Sequence, residues 1–186
     1  MISSTKITEA EFRAFLADNA DDEQHYELIA GELVMSPAPQ LPHQRISRKL
    51  LFLLSGLIPD GELWYAPTEV QIDNYNIYEP DLFWMSAANP AVETQQKYIG
   101  APDLVVEILS PGTAKHDKHT KFKAYEAGGV REYWIADIAN ALLEIWWLKE
   151  DRYLRLGAFT DGDTFESQVL SQSVTLADIF TTSTSN

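Results

Sequence analysis

Glu107 is a carboxylate in the middle of an apolar run, Val105-Val106-Glu107-Ile108-Leu109. Burying it ionised and alone costs several kcal/mol or forces it to take up a proton, so its position needs a reason. Read as a strand, Asp103, Val105, Glu107 and Leu109 share one face, and Leu104, Val106 and Ile108 share the other. Asp81 heads a second apolar run, Leu82-Phe83-Trp84-Met85, so two strand-borne acids could converge. Paired carboxylates with no thiolate and few imidazoles are the ligand chemistry of a hard divalent cation, Mg2+ or Mn2+, which takes oxygen donors and keeps waters. The competing reading pairs Glu107 with a Lys or Arg, or leaves it at a solvated strand edge.

Cations follow directly. Lys115, Lys118, Lys121 and Lys123 crowd the segment after this run, with His116 and His119 interleaved. Asp117, Lys121 and Tyr125 stand at i, i+4 and i+8, on roughly one face of a helix from which a lysine could reach a metal-bound water. A solvated face with an ordinary Asp–Lys pair accounts for the same residues. His116 and His119 on this lysine-rich turn read as solvated, His25 shows no partner, and Asp137 reads as a structural acid ending a strand.

These side chains need elements to carry them. Thr8, followed three residues on by Glu11, predicts a capped helix over 8–17. Two short apolar runs, 26–29 and 32–35, flank Ala30-Gly31 as a hairpin does, and Pro37, Pro39 and Pro42 end it. Ile46, Leu50, Leu51, Leu53, Leu54 and Leu57 step by three and four, which predicts a long helix from His43 to Ile58. Strands are predicted at 62–65, 69–72 and 80–85, a loop over 86–100, and a central strand over 103–109. A helix over 114–127, stopped by Gly128-Gly129, precedes strands at 132–137, 142–148 and 152–157. This is an α/β order, an α+β mixed sheet flanked by helices, in a single domain over 1–180 with a loose polar tail at 181–186.

Composition narrows the classes. With 186 residues, of which 45% are hydrophobic, the chain can bury a real core. The absence of cysteine removes disulfides, thiolate metal sites and cysteine nucleophiles together. Against 28 Asp and Glu stand 14 Lys and Arg, a net charge of -14 that repels nucleic acid and anionic membrane at long range. No apolar run approaches a membrane span and the first residues lack a secretory core, so a cytoplasmic protein without membrane contact is expected. No Gly-rich phosphate loop, Gly-x-Ser-x-Gly elbow or His-Glu-x-x-His helix is present.

Taken together, Tyr26-Glu27-Leu28-Ile29-Ala30-Gly31-Glu32, Pro80-Asp81, the run from Pro102 to Pro111, the Asp117, Lys121, Tyr125 series and Glu132-Tyr133-Trp134 resemble a bacterial "putative restriction endonuclease" family of the PD-(D/E)XK nuclease superfamily. The resemblance runs from about residue 8 to residue 178 and implies a restriction-endonuclease-like fold. It implies that Asp81 is the first metal acid and Glu107 the second, with a lysine that activates or orients the attacking water. The superfamily's usual lysine lies two residues past the second acid, where this chain has Leu109; the resemblance places it on the next helix, with Lys121 the match and Lys118 the rival. Glu27 matches a further acidic position that would support the site, and His43 either contacts substrate or caps its helix.

On that reading, Mg2+ (or Mn2+) held by Asp81, Glu107 and the Ile108 carbonyl serves phosphodiester hydrolysis, and Lys121 offsets the developing charge. The implied partner is nucleic acid, DNA ahead of RNA. Electrostatics oppose it, since only the 115–123 cluster and Arg45, Arg48 and Lys49 are at hand for phosphates. Two rivals are a catalytically inactive nuclease-like scaffold acting as an interaction module, with Trp146, Trp147 and Tyr153 as its surface, and a hydrolase of some other phosphoester. The same aromatics could be core or the face of a homodimer, which is also the superfamily's habit.

Overall fold

The computed structural model of the chain describes residues 6–22, 24–36, 38–109 and 116–181, with the side chains of His116 and Asp117 excepted. Capping starts the first element: Thr8 Oγ1 accepts from Glu11 N at 3.4 Å and the Glu11 carboxylate accepts from Thr8 N at 2.7 Å, opening α1 (Glu9–Asp18). Strands β1 (His25–Ile29) and β2 (Glu32–Ser36) turn at Ala30 and Gly31, whose φ values of 54° and 82° match the twist of a tight hairpin. Helix α2 (Leu41–Ser55) begins ahead of the predicted His43, because Pro42 is tolerated in a first helical turn that needs no N–H from it.

Then come β3 (Glu62–Tyr65), β4 (Glu69–Asp73), β5 (Asn76–Tyr78), β6 (Leu82–Met85), β7 (Val92–Glu93), β8 (Lys97–Ile99) and β9 (Leu104–Leu109). A π-helical turn at His116–Lys121 runs into α3 (Phe122–Gly128). Strands β10 (Glu132–Asp137), β11 (Leu142–Lys149), β12 (Arg152–Phe159), β13 (Thr164–Ser167) and β14 (Gln172–Thr175) complete the chain.

The strands form two six-stranded mixed sheets and a hairpin where a single sheet was expected. The central sheet runs β12-β11-β10-β9-β6-β3, the second β2-β1-β5-β4-β8-β7, and β13 pairs with β14. Within the central sheet β9 and β10 are parallel, and the other pairs are antiparallel. The predicted loop over 86–100 in fact holds β7 and β8, and β8 lies parallel to β4 with Glu69 opposite Lys97. These strands are too short and polar to show a period of two; backbone pairing to β4 makes them strands.

Alternation along β9 works as predicted. Leu104, Val106 and Ile108 pack with Ile46, Leu50 and Leu54 of α2 and with Phe165 and Val174 of the hairpin. Val105 and Leu109 face the other way, against Ile29, Val70 and Tyr78 of the second sheet and Tyr125 of α3. The central sheet therefore has apolar cover on both faces, as a strand buried along its whole length requires. Helix α1 sits on the second sheet through Phe12, which packs on Leu28 and Ile77.

Three side chains with open or surface readings find partners. Tyr153 is buried and its hydroxyl donates to Val130 O at 2.9 Å, so it belongs to the core, because it faces the α3 side of β12. The Trp146 ring meets Phe122 edge-on with centroids 4.8 Å apart. Lys49 Nζ donates to the main-chain carbonyls of Asp178 and Thr181, which ties α2 to the end of the chain and removes that lysine as a phosphate contact. Thr181 is held by Asp161, its N–H donating at 2.8 Å; the rest of the predicted tail, 182–186, and the Ser110–Lys115 segment lie outside the described residues. No helix among the described residues is long and apolar enough to cross a membrane.

Candidate active site

Strand register brings the two acids together. Leu82 pairs with Val106 and Phe83 with Val105 in the antiparallel β6–β9 ladder. Asp81 directly precedes Leu82 and Glu107 directly follows Val106, so the end of this ladder brings the two acids to the same place. Asp81 Oδ2 accepts from Ile108 N at 2.7 Å, so the Ile108 main-chain amide meets this carboxylate. His43 Nε2 lies 3.1 Å from the same oxygen, reaching across from the first turn of α2. His43 therefore orients Asp81 from the roof of the site.

Glu107, only 4% exposed, has its partners on the segment that follows it. Lys121 Nζ donates to Glu107 Oε1 at 3.0 Å, and Tyr125 Oη donates to the same oxygen at 2.7 Å. Lys121 also lies 3.0 Å from Glu27 Oε1. Glu27 in turn accepts from Glu79 N at 2.9 Å and from Ser36 Oγ at 3.1 Å. One buried ammonium is thus shared by two buried carboxylates, each with further donors, which is how buried charge becomes tolerable. Burial first, and then the Glu107 charge, push the Tyr125 phenol well above its ordinary pKa, so it stays protonated as a donor.

Of the predicted helix face, Lys121 and Tyr125 do converge on Glu107. The turn that ends at Lys121 is π-helical, so an i, i+4 relation back to Asp117 does not describe it, and the Asp117 side chain lies outside the described residues. Wide π-turns recur at functional sites because they re-aim side chains. The competing reading, in which Glu107 pairs with a lysine, is realised by Lys121 itself.

Lys118 goes elsewhere. Its Nζ donates to Asp137 Oδ2 at 3.1 Å and to Glu144 Oε1 at 3.3 Å. Burial would raise the Asp137 carboxyl, but hydrogen bonds from Asn140 and Lys118 outweigh it and hold the group below its ordinary value. Asp137 is therefore more than a strand terminus. It stands beside Leu109 at the carboxyl end of the parallel β9–β10 pair, where α/β sheets gather their sites. That shared strand end was the signal in the sequence. His25 also has a partner after all, its Nδ1 lying 3.1 Å from Glu79 Oε2, since the β1 strand brings it beside the β5–β6 connection.

Glu27, His43, Asp81, Glu107, Lys118, Lys121 and Asp137 line one cleft of about 920 Å3, walled also by Pro39, Pro42, Tyr65, Ala66 and Pro67. Among the described residues no three His, Cys, Asp or Glu side chains are gathered as metal ligands. Two neighbouring carboxylates nonetheless fit a hard cation, since Mg2+ is commonly held by one or two carboxylates and completes its shell with waters and substrate phosphates.

Comparisons with known proteins agree with this architecture. A curated relative, "Uncharacterized protein sll1609" of Synechocystis sp. PCC 6803, is 26% identical over 151 residues, covering 74% of this chain and 78% of its own. The crystal structure of a "putative nuclease belonging to DUF820" from Anabaena variabilis superposes with a TM-score of 0.69 at 16% identity, covering 86% of this chain and 91% of the other. That likeness gives the fold, which is restriction-endonuclease-like. The family model described as "Putative restriction endonuclease" matches residues 10–178, and the chain belongs to this family, Uma2.

Proposed function

We propose that the chain is a metal-dependent nuclease of the PD-(D/E)XK type, hydrolysing phosphodiesters with Asp81, Glu107 and Lys121. One observation carries the reading: Asp81 and Glu107 flank the end of the β6–β9 ladder and line one cleft, with Lys121 Nζ 3.0 Å from Glu107. Asp81 and Glu107, with the Ile108 carbonyl, would hold Mg2+ or Mn2+, which when bound supplies an activated water and neutralises charge on the phosphate. His43 and the Ile108 amide fix the orientation of Asp81. Tyr125 and Lys121 fix Glu107, Glu27 holds the other side of Lys121, and the ammonium offsets the charge that develops on the pentacovalent phosphate. The substrate on this reading is nucleic acid.

A nuclease-like scaffold without catalysis is the second reading, favoured by the neutralisation of Glu107 by Lys121 and by a net charge of -14. Titration calorimetry of Mn2+ and Mg2+ into the native chain, Asp81→Asn and Glu107→Gln separates the two. The nuclease reading expects binding in the native protein and its loss in both variants, together with loss of cleavage. Metal-dependent cleavage retained by Glu107→Gln would sink the assignment.

A further inference from the structure

We infer that the cleft takes single-stranded nucleic acid, with one base stacked on Tyr65. The inference rests on the nuclease reading and names its substrate class. Tyr65, Asp81, Glu107 and Asp137 come from or adjoin four neighbouring strands, β3, β6, β9 and β10; Tyr65 pairs with Leu82 and so leaves the sheet on the α2 side, and the cleft joins it to the acids round the strand ends. The four strands span three strand spacings, about 14 Å. At one end Tyr65, 58% exposed, stands on the cleft wall as an uncovered aromatic surface. At the other end Lys118 lines the same cleft, held in place by Asp137 and Glu144. An exposed aromatic platform beside a reactive centre in one narrow cleft suits an unpaired strand, because any base can stack on it.

A duplex finds much less. The cleft, about 920 Å3, has the size of a small-molecule pocket. The reacting groups lie deep in it, Glu107 and Lys121 each being 4% exposed, out of reach of a backbone that cannot leave its helix. Arg45 and Arg48, exposed on α2, do not line the cleft, and Lys49 is tied to the end of the chain. A second strand would add phosphates with no cations to meet them, on a molecule of net charge -14.

The test is fluorescence anisotropy and cleavage with labelled dT12, rU12 and a 12-base-pair DNA duplex, in the presence of Mn2+. Single strands are expected to bind at least tenfold more tightly than the duplex and to be cut in preference. The two single strands tell a DNA substrate from an RNA one, and preference for either over duplex supports the inference. Tyr65→Ala should weaken single-strand binding about tenfold, the loss of one stacked base, whereas Tyr65→Trp restores it and neither changes the thermal midpoint. The salt dependence of binding should be shallow, since Lys118 is already paired with Asp137 and Glu144. Duplex bound and cut as well as single strands, or no effect of Tyr65→Ala, overturns the substrate class and leaves the nuclease reading standing. If the native protein binds and cuts none of the three, the nuclease reading fails and the inference falls with it.

Discussion

Lys121 is the residue on which the site turns, because it stands between two carboxylates that are as buried as itself. Its side chain and those of Glu27 and Glu107 are each about 5% exposed, with both N–O separations at 3.0 Å. Replacing it by methionine keeps the volume and leaves two carboxylates facing each other without their counter-ion. Breaking such a buried pair costs about 3–5 kcal/mol, far above the ~0–1 kcal/mol of a surface pair. Urea denaturation of Lys121→Met should show a loss in that range, and Glu107→Gln a smaller one, since Lys121 keeps Glu27 and the amide oxygen still accepts from Tyr125. A loss below about 1 kcal/mol for Lys121→Met would mean that the ammonium is hydrated in solution and not shared by the two acids. The comparison matters for reading any activity assay: Glu107→Gln tests chemistry on a folded chain, whereas Lys121→Met changes chemistry and stability together.

At the scale of elements, a second buried acid does structural work that the site does not need. Glu132 at the start of β10 is fully buried and accepts from Trp134 Nε1 at 2.6 Å, Ser167 Oγ at 2.8 Å, Gln168 N at 2.8 Å and Val169 N at 3.2 Å. It thereby fastens the β13–β14 hairpin to the central sheet. Glu132→Ala leaves these donors without an acceptor, at a cost of roughly 1–3 kcal/mol per unsatisfied group. Amide exchange over 164–175 should accelerate well beyond that over 104–109; uniform acceleration would instead mean that the hairpin does not open on its own. This fastening could not be read from the sequence, where Glu132 is simply an acid beside two aromatics and its donors on the hairpin, Ser167, Gln168 and Val169, lie far along the chain. The same limit explains what else was and was not legible. The capping box at Thr8, the Ala30-Gly31 turn and the parity of β9 are local signals, and each holds in the structure. The division into two sheets depends on non-local pairing, such as β1 with β5 and β4 with β8, and no periodicity announces it. The site divides in the same way: Asp81 and Glu107 each stand out against apolar neighbours, but the grip of Asp137 and Glu144 on Lys118 follows only from strand order.

For the whole molecule, the acids that outnumber the bases two to one fall into groups with opposite pH responses. Burial raises the Glu79 and Glu132 carboxyls above 4.5 despite the hydrogen bonds each receives. As the pH falls, the folded chain takes up these protons before the unfolded chain does, so their penalty is full above the folded values and is relieved on the way down. Asp103, Asp137 and Asp161 behave conversely. Burial opposes their ionisation, but donors outweigh it, among them Asn89 and Arg131 for Asp103, Asn140 and Lys118 for Asp137, and the Phe180 and Thr181 amides for Asp161. Their contribution is full above 3.8 and is lost as the pH falls through their lower folded values. Self-repulsion at a net charge of -14 also eases as the pH approaches the isoelectric point near 4.5. The thermal midpoint should therefore peak at about pH 5, decline modestly toward pH 8 and drop steeply below about pH 3.5, as scanning calorimetry at low protein concentration would show. Added salt should narrow the difference between pH 8 and pH 5 by screening the repulsion. It should not close that difference, because the desolvation of Glu132 is insensitive to ions in bulk water. A midpoint rising steadily from pH 5 to pH 8 would contradict the opposed grouping and place the stabilising charges elsewhere in the fold.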